Sequence, residues 1–267
     1  MSRVARSALR SAWRVQSGRI QATDTPCIVT MQKMLASAPR DDILSLAQGI
    51  VHWRPPDDAL ARARDAVGEP DTSKYGADDG LPALRSALAR KLARRNGLTA
   101  ASEVMVTAGA NQAYTNLVLA TLDAGDAAVL YAPYYFNHLM ALQMTGAEPV
   151  ALPAASDLQP DLGALRREFE ARNGGGDSGR APVRMVTLTN PGNPTGVMLR
   201  RELIEEASAL CAEYGAYLVL DNTYEDFAYP GEEPHACVEA PHVVNVFSFS
   251  KAYGMMGWRV GYLVHLP

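Results

Sequence analysis

Cysteine is scarce in this chain and poorly placed for pairing. Only Cys27, Cys211 and Cys237 occur in 267 residues, far apart and without a CxxC pair. That spacing excludes a disulfide framework or a zinc knuckle and fits a reducing compartment. Histidine is equally sparse. His52, His138, His235, His242 and His265 show neither HExxH nor HxxxH spacing, so no metal site is expected. The formal net charge is -4, which lacks the basic excess of a nucleic-acid partner. No apolar run is long enough to cross a bilayer, so no membrane partner is expected. There is no GxSxG elbow and no internal repeat. The glycine-rich stretch Asn173–Gly179 lacks a following GK[ST] and reads as a flexible surface loop rather than a phosphate cradle.

Acid is missing from residues 1–23, whereas Arg3, Arg6, Arg10, Arg14 and Arg19 are present with several serines. Such composition fits an organelle transit peptide or a basic tail. A cytoplasmic location is expected, with an organelle matrix as the alternative. The chain divides into this basic extension (1–23), an N-terminal arm (24–45) and a large domain (46–267).

From about residue 80 onward, helical and strand patterns alternate. Leu81, Leu84, Leu88 and Leu92 share one face of a helix, and Arg85, Arg90, Lys91, Arg94 and Arg95 form an opposite, solvated face. Further helices are expected after 107–113, running through Leu122, and over Leu203–Tyr214. Short apolar runs at 104–106, 127–131, 149–152, 183–188, 217–220, 243–247 and 260–264 read as seven strands. Continuous apolar strands separated by helices or long loops predict an α/β fold, a mostly parallel seven-stranded sheet between helices. Polar clusters follow the strands, at the sheet end where open α/β sheets bind ligands.

The run Ser248-Phe-Ser-Lys251-Ala-Tyr-Gly-Met-Met-Gly257-Trp-Arg259-Val-Gly261 carries the strongest chemical signal. A lysine at a strand end amid apolar sequence is a candidate imine-forming amine, because burial lowers its pKa and frees the lone pair. Arg259 beside hydroxyls suits a phosphate monoester. Lysine with a phosphate clamp suggests pyridoxal phosphate held as a Schiff base. Ser248-Phe-Ser-Lys251 also matches the SxxK of serine acyl-transfer enzymes, but the SDN and KTG partners are missing.

Three more strand-end clusters accompany it. Gly109-Ala110-Asn111 lies between strand and helix and can expose backbone N–H groups to an anion, or serve as a plain turn. Asn193 sits in Asn190-Pro-Gly-Asn-Pro-Thr-Gly196, a turn stiffened by two prolines. Asp221 ends an apolar strand, where a carboxylate needs a partner; it either caps the next segment or pairs with a pyridinium nitrogen.

In order, AGANQA, Pro-Tyr-Tyr, NPGNPTG, DNTY and SFSKAYGMMGWRVG make the chain resemble the fold-type I pyridoxal-phosphate enzymes. Within them it is similar to the class I/II aminotransferases of the aspartate aminotransferase superfamily, from about Ser45 to the end. Wording such as Leu46-Ala-Gln-Gly-Ile-Val-His-Trp-Arg-Pro-Pro56 looks closest to plant and algal enzymes acting on aromatic amino acids and methionine. The resemblance implies that Lys251 carries the cofactor and moves the substrate proton. It implies that Asp221 meets the ring nitrogen, that Asn193 and Tyr224 meet the ring hydroxyl, and that Tyr135 stacks on the ring. Ala110, Asn111, Ser248 and Arg259 would hold the phosphate. Tyr75 would reach the phosphate of a neighbouring subunit, which implies a homodimer, and Gly49 would lie near the substrate carboxylate. An amino acid and a 2-oxo acid would be the substrates. A C–S or aminocyclopropane-type lyase is the alternative within the same cofactor class. The resemblance also implies a small C-terminal domain, with the arginine for the substrate carboxylate, that has no counterpart before Pro267. A catalytically silent cofactor-binding fragment is therefore the other alternative.

Overall fold

The computed structural model describes residues 16–38, 43–99, 102–175, 179–231 and 233–267. The expectations for residues 1–15 lie outside these. All seven apolar runs are strands: β1 (Glu103–Thr107), β2 (Ala127–Ala132), β3 (Glu148–Pro153), β4 (Val183–Thr189), β5 (Tyr217–Asp221), β6 (Val243–Ser248) and β7 (Gly261–His265). They form one sheet in the order β1-β7-β6-β5-β4-β2-β3. Pairing is parallel from β6 through β3, and β7 runs antiparallel to both β1 and β6.

The described helices are α1 (Gly18–Gln21), α2 (Cys27–Ala36), α3 (Asp57–Val67), α4 (Pro82–Arg95), α5 (Ala110–Thr121), α6 (Phe136–Thr145), α7 (Leu162–Asn173) and α8 (Arg201–Tyr214). Alternating strand residues bury opposite faces of the sheet. Ala128, Leu130, Met185, Val219 and Val246 pack against Ala113, Val118 and Leu142 of α5 and α6. Val129, Val186, Leu218 and Leu220 pack against Leu165, Phe169, Ile204 and Leu210 of α7 and α8. Beneath β1, β6 and β7, α4 supplies Leu88 and Leu92. The result is helix, sheet and helix in three layers, as two-sided apolar strands require.

Three expectations need correction. Leu81 is not part of the apolar face of α4: Pro82 takes the first helical position, so Leu81 becomes the exposed N-cap. The basic face of α4 is not simply solvated. Arg85 pairs with Asp79 and Glu103, Lys91 with Glu225, and Arg95 with Asp226. Helices α6 and α7 occupy connections for which the spacing analysis assigned no element. In α7, Asp161 caps the start by accepting the Ala164 N–H at 2.9 Å. Within the expected loop, Asn173 instead ends α7 and bridges to the backbone of Val183; residues 176–178 lie outside the described set.

Phe169 is fully buried and stacks on Tyr214 with ring centroids 4.8 Å apart. Phe169→Ala is expected to lower stability by about 3–5 kcal/mol, read as a lower urea midpoint at unchanged slope.

Candidate active site

Five segments converge beyond the C-terminal ends of β1, β2, β4, β5 and β6. They enclose, with α2 and residues 46–49, a cavity of about 660 Å³. Ten of the eleven residues singled out from sequence line it: Gly49, Ala110, Asn111, Tyr135, Asn193, Asp221, Tyr224, Ser248, Lys251 and Arg259. Tyr75 does not. It follows the short helical turn Pro70–Ser73 and is fully exposed, at 107 %.

One end of the cavity is built for an anion. Helix α5 begins there at Ala110, and no side chain caps its first N–H groups. Such free amides and the helix dipole favour negative charge. Gly109 precedes them with φ +85°, a conformation open to glycine. A Cβ at Gly109 would run into the Arg259 guanidinium, 3.0 Å from Cζ and closer still to Nη2. Arg259 itself adopts φ +54°, and its Nη1 donates to the Met256 carbonyl at 2.8 Å. Ser248, at the end of β6, and buried Ser250 add hydroxyls to the same cavity.

Asp221 lies at the end of β5 and is 5 % exposed. Its Oδ2 is 3.1 Å from Nε2 of His138, a residue 3 % exposed on α6. Its Oδ1 accepts the Thr223 N–H at 3.0 Å and the Thr223 hydroxyl at 2.6 Å. Burial pushes the carboxyl pKa up, but the hydrogen bond and charge of His138, with the two Thr223 donors, outweigh it and hold the group below the usual carboxylate value. His138 is packed between Tyr114 and Tyr135, with ring centroids at 4.2 and 5.3 Å. Asn137 donates to the Tyr135 hydroxyl at 2.7 Å.

Lys251 points its Nζ at the Gly49 carbonyl, 2.6 Å away. Burial and the charge of Arg259 lower its pKa. Tyr224 accepts from Asn193 Nδ2 at 3.4 Å, and burial pushes its phenol up to about 12. The turn bearing Asn193 is pinned at Asn190, whose N–H donates to the Asp221 carbonyl at 2.9 Å and whose Oδ1 accepts the Leu199 N–H at 2.9 Å. Trp53 steadies the lysine segment: its indole N–H donates to the Ala252 carbonyl at 3.1 Å, and its ring stacks on Phe227.

Spacing analysis missed His138, Thr223 and Ser250. The need of a buried strand-end carboxylate for a partner was a usable signal for the first two. Nothing in the sequence says which of five histidines answers it. Ile28 and Met31 of α2 also line the cavity, placed there partly by a reciprocal pair of hydrogen bonds between Asp24 and Gln143 at 2.9 and 3.0 Å.

The chain is similar to known proteins in sequence and in fold. Residues 41–265 match the family model for aminotransferase class I and II. The aromatic aminotransferase ISS1 of Arabidopsis thaliana is 47 % identical over 251 residues, covering 93 % of this chain and 61 % of that protein. The aspartate/prephenate aminotransferase of Thermus thermophilus is 32 % identical over 252 residues, covering 92 % and 63 %. The structure of Thermus thermophilus aspartate aminotransferase with maleate superposes with a TM-score of 0.83 at 30 % identity, covering 95 % of this chain and 65 % of that one. The chain thus spans less than two thirds of the curated relatives it matches. On the match across residues 41–265, the chain belongs to the aminotransferase class I and II family.

Proposed function

We propose that the cavity holds pyridoxal phosphate and that the full-length protein is a transaminase. It would move an amino group between an aromatic amino acid or methionine and a 2-oxo acid. Members of this family use pyridoxal phosphate. The observation that carries the reading is the donor set itself: a buried, ionised Asp221, a softened Lys251 amine and a glycine-cleared anion site share one cavity. Gly109 fits this role, since its φ of +85° and the Arg259 guanidinium beside it both disfavour a Cβ at the start of α5.

Ala110 and Asn111 amides, Ser248, Ser250 and Arg259 would hold the phosphate. Asp221 would face the ring nitrogen, Asn193 and Tyr224 the ring hydroxyl, and Tyr135 the ring face. When bound, the cofactor supplies an electron sink for the charge left as substrate Cα loses its proton. Lys251 takes that proton on Nζ and returns it. Its lowered pKa keeps more free amine available near neutral pH, and the Gly49 carbonyl orients it. Asp221 does its part only while ionised, and His138 keeps it so.

Apolar Ile28 and Met31 suit an aromatic or thioether side chain, in keeping with the aromatic aminotransferase relative. Tyr75 stands clear of its own cavity, as a residue serving a second copy would; exposed Leu44, Leu46 and Ile50 supply apolar surface for a homodimer. No helix among the described residues is long and apolar enough to cross a membrane. The few, widely spaced cysteines fit a reducing compartment, and we place the protein in the cytoplasm, with an organelle matrix as the alternative. The division into a basic extension, an arm and a large domain belongs to the same reading. The relatives described above are aminotransferases, which gives the lyase alternative no support.

Full-length protein incubated with pyridoxal phosphate should develop a visible absorbance band that borohydride fixes on the peptide containing Lys251. Lys251→Ala should lack it, and a fixed label on another residue overturns the assignment. Phenylalanine or methionine with a 2-oxo acid should yield the exchanged products; release of ammonia or a thiol would mean a lyase, and a band without turnover a silent binder. Gly109→Ala should weaken cofactor binding by about tenfold or more, roughly 1.4 kcal/mol, in an absorbance titration. The lowered pKa of Asp221 means that its stabilisation is present above the unfolded carboxylate value and is lost as pH falls through the folded one. In His138→Leu burial governs instead, the folded pKa rises, and ionisation at neutral pH becomes destabilising. The melting deficit of the apo variant should therefore be larger at pH 7 than at pH 4.5, by roughly 3–5 kcal/mol at neutral pH.

A further inference from the structure

The basic face of α4 lies behind the cavity, and its pairing gives it a task. Lys91 is 13 % exposed and Glu225 9 %. Lys91 Nζ donates to Glu225 Oε1, and Asn96 Nδ2 donates to Oε2 at 2.7 Å, so both carboxylate oxygens are occupied. The same Nζ sits 4.6 Å over the Phe247 ring and 3.3 Å from the Tyr262 hydroxyl. One helical turn on, Arg95 pairs with Asp226. Glu225 directly follows Tyr224, and Phe247 directly precedes Ser248. A single half-sequestered ammonium therefore ties the segment that aims Tyr224 to the strand that delivers the Ser248–Lys251 turn.

The segment 222–227 is anchored at its two ends, by buried Asn222, which bonds to Val246, Leu220 and Asn245, and by Phe227, which stacks on Trp53. It is a run of turns, closed by Glu225 N–H to the Asn222 carbonyl and Phe227 N–H to the Tyr224 carbonyl, at 3.0 and 2.9 Å. Tyr224 meets Asn193 only at 3.4 Å. Between those ends, Tyr224 packs edge-on against Phe227, and the two acidic residues that follow it are both gripped by α4. The Lys91–Glu225 pair is the one shielded from water, where charged hydrogen bonds are short and directional.

We propose that Lys91 is a positioning residue for the reaction, acting through Glu225 to fix the Tyr224 hydroxyl against the cofactor, with Arg95–Asp226 as a second, outer strut. The inference rests on the cofactor reading above. Its content is that geometry at Tyr224, and not only stability, depends on a lysine that touches neither cofactor nor substrate.

The test uses the full-length protein and pyridoxal phosphate alone, comparing wild type, Lys91→Met and the charge-free double variant Lys91→Met/Glu225→Leu. Three quantities are read: the melting temperature of the apo protein, the dissociation constant for the cofactor, and the induced circular dichroism of its visible band, which reports how rigidly the ring is oriented. Lys91→Met should melt lower, bind about tenfold more weakly and show a diminished dichroic band. The double variant removes the stranded carboxylate and should regain melting temperature, yet keep the weak binding and the diminished band. If Lys91→Met fails to fold, the double variant decides by itself. Wild-type values for binding and dichroism in a folded Lys91→Met, or their full return in the double variant, would reduce the pair to a stability element and overturn the proposal. A wild type that takes up no cofactor overturns the functional reading and this inference together, and so is told apart from failure of the inference alone.

Discussion

A carboxylate kept ionised inside the protein is the constraint around which the cavity is organised. Asp221 has almost no access to water, and left alone such a group would take up a proton. His138 and Thr223 prevent that with three directed donors. Placing them requires β5, the turn after it and α6 to meet at one point. His138 in turn needs its own walls, which Tyr114 and Tyr135 supply. Much of the cavity's lining on that side is explained by the cost of keeping one negative charge out of water.

The sheet makes the meeting possible. Strands β4, β5 and β6 run parallel side by side, so their C-terminal ends present Asn190, Asp221 and Ser248 in a row. β7 returns antiparallel and brings Arg259, just before it, against the start of α5. The anion site thus joins a helix N-terminus to a guanidinium from the far end of the sequence. The local backbone accepts a left-handed Arg259 to achieve this. Strain of that kind persists where surrounding structure dictates it, and commonly at sites that bind.

Strands were legible because each is a short, continuous apolar run, and the inner ones are buried on both faces, which leaves few alternatives. Lys251, Arg259, Asp221 and Asn193 were legible for a related reason: polar residues that interrupt apolar sequence at strand ends have to be accounted for. The role of His138 was not legible, because α6 is apolar on several sides and marks no position as special. The basic face of α4 misled for the opposite reason. Arginine and lysine at helical spacing look the same whether they meet water or acids delivered by a distant turn, and Glu225 and Asp226 are distant in sequence. Tyr75 resembles a site residue in its motif, yet within one copy it touches nothing of the cavity.

Trp53 has a practical corollary. Its indole is bonded to the carbonyl of the residue after Lys251 and stacked on the ring of Phe227. Trp258 lies in the short turn Met256–Trp258 seven residues after that lysine, next to Arg259. Of the chain's three tryptophans, one is therefore bonded to the lysine segment and a second lies in the same connection between β6 and β7. Trp53 is thus a built-in optical gauge: indole emission responds to such a bond and ring neighbour, so movement of the lysine segment can be followed without any added dye.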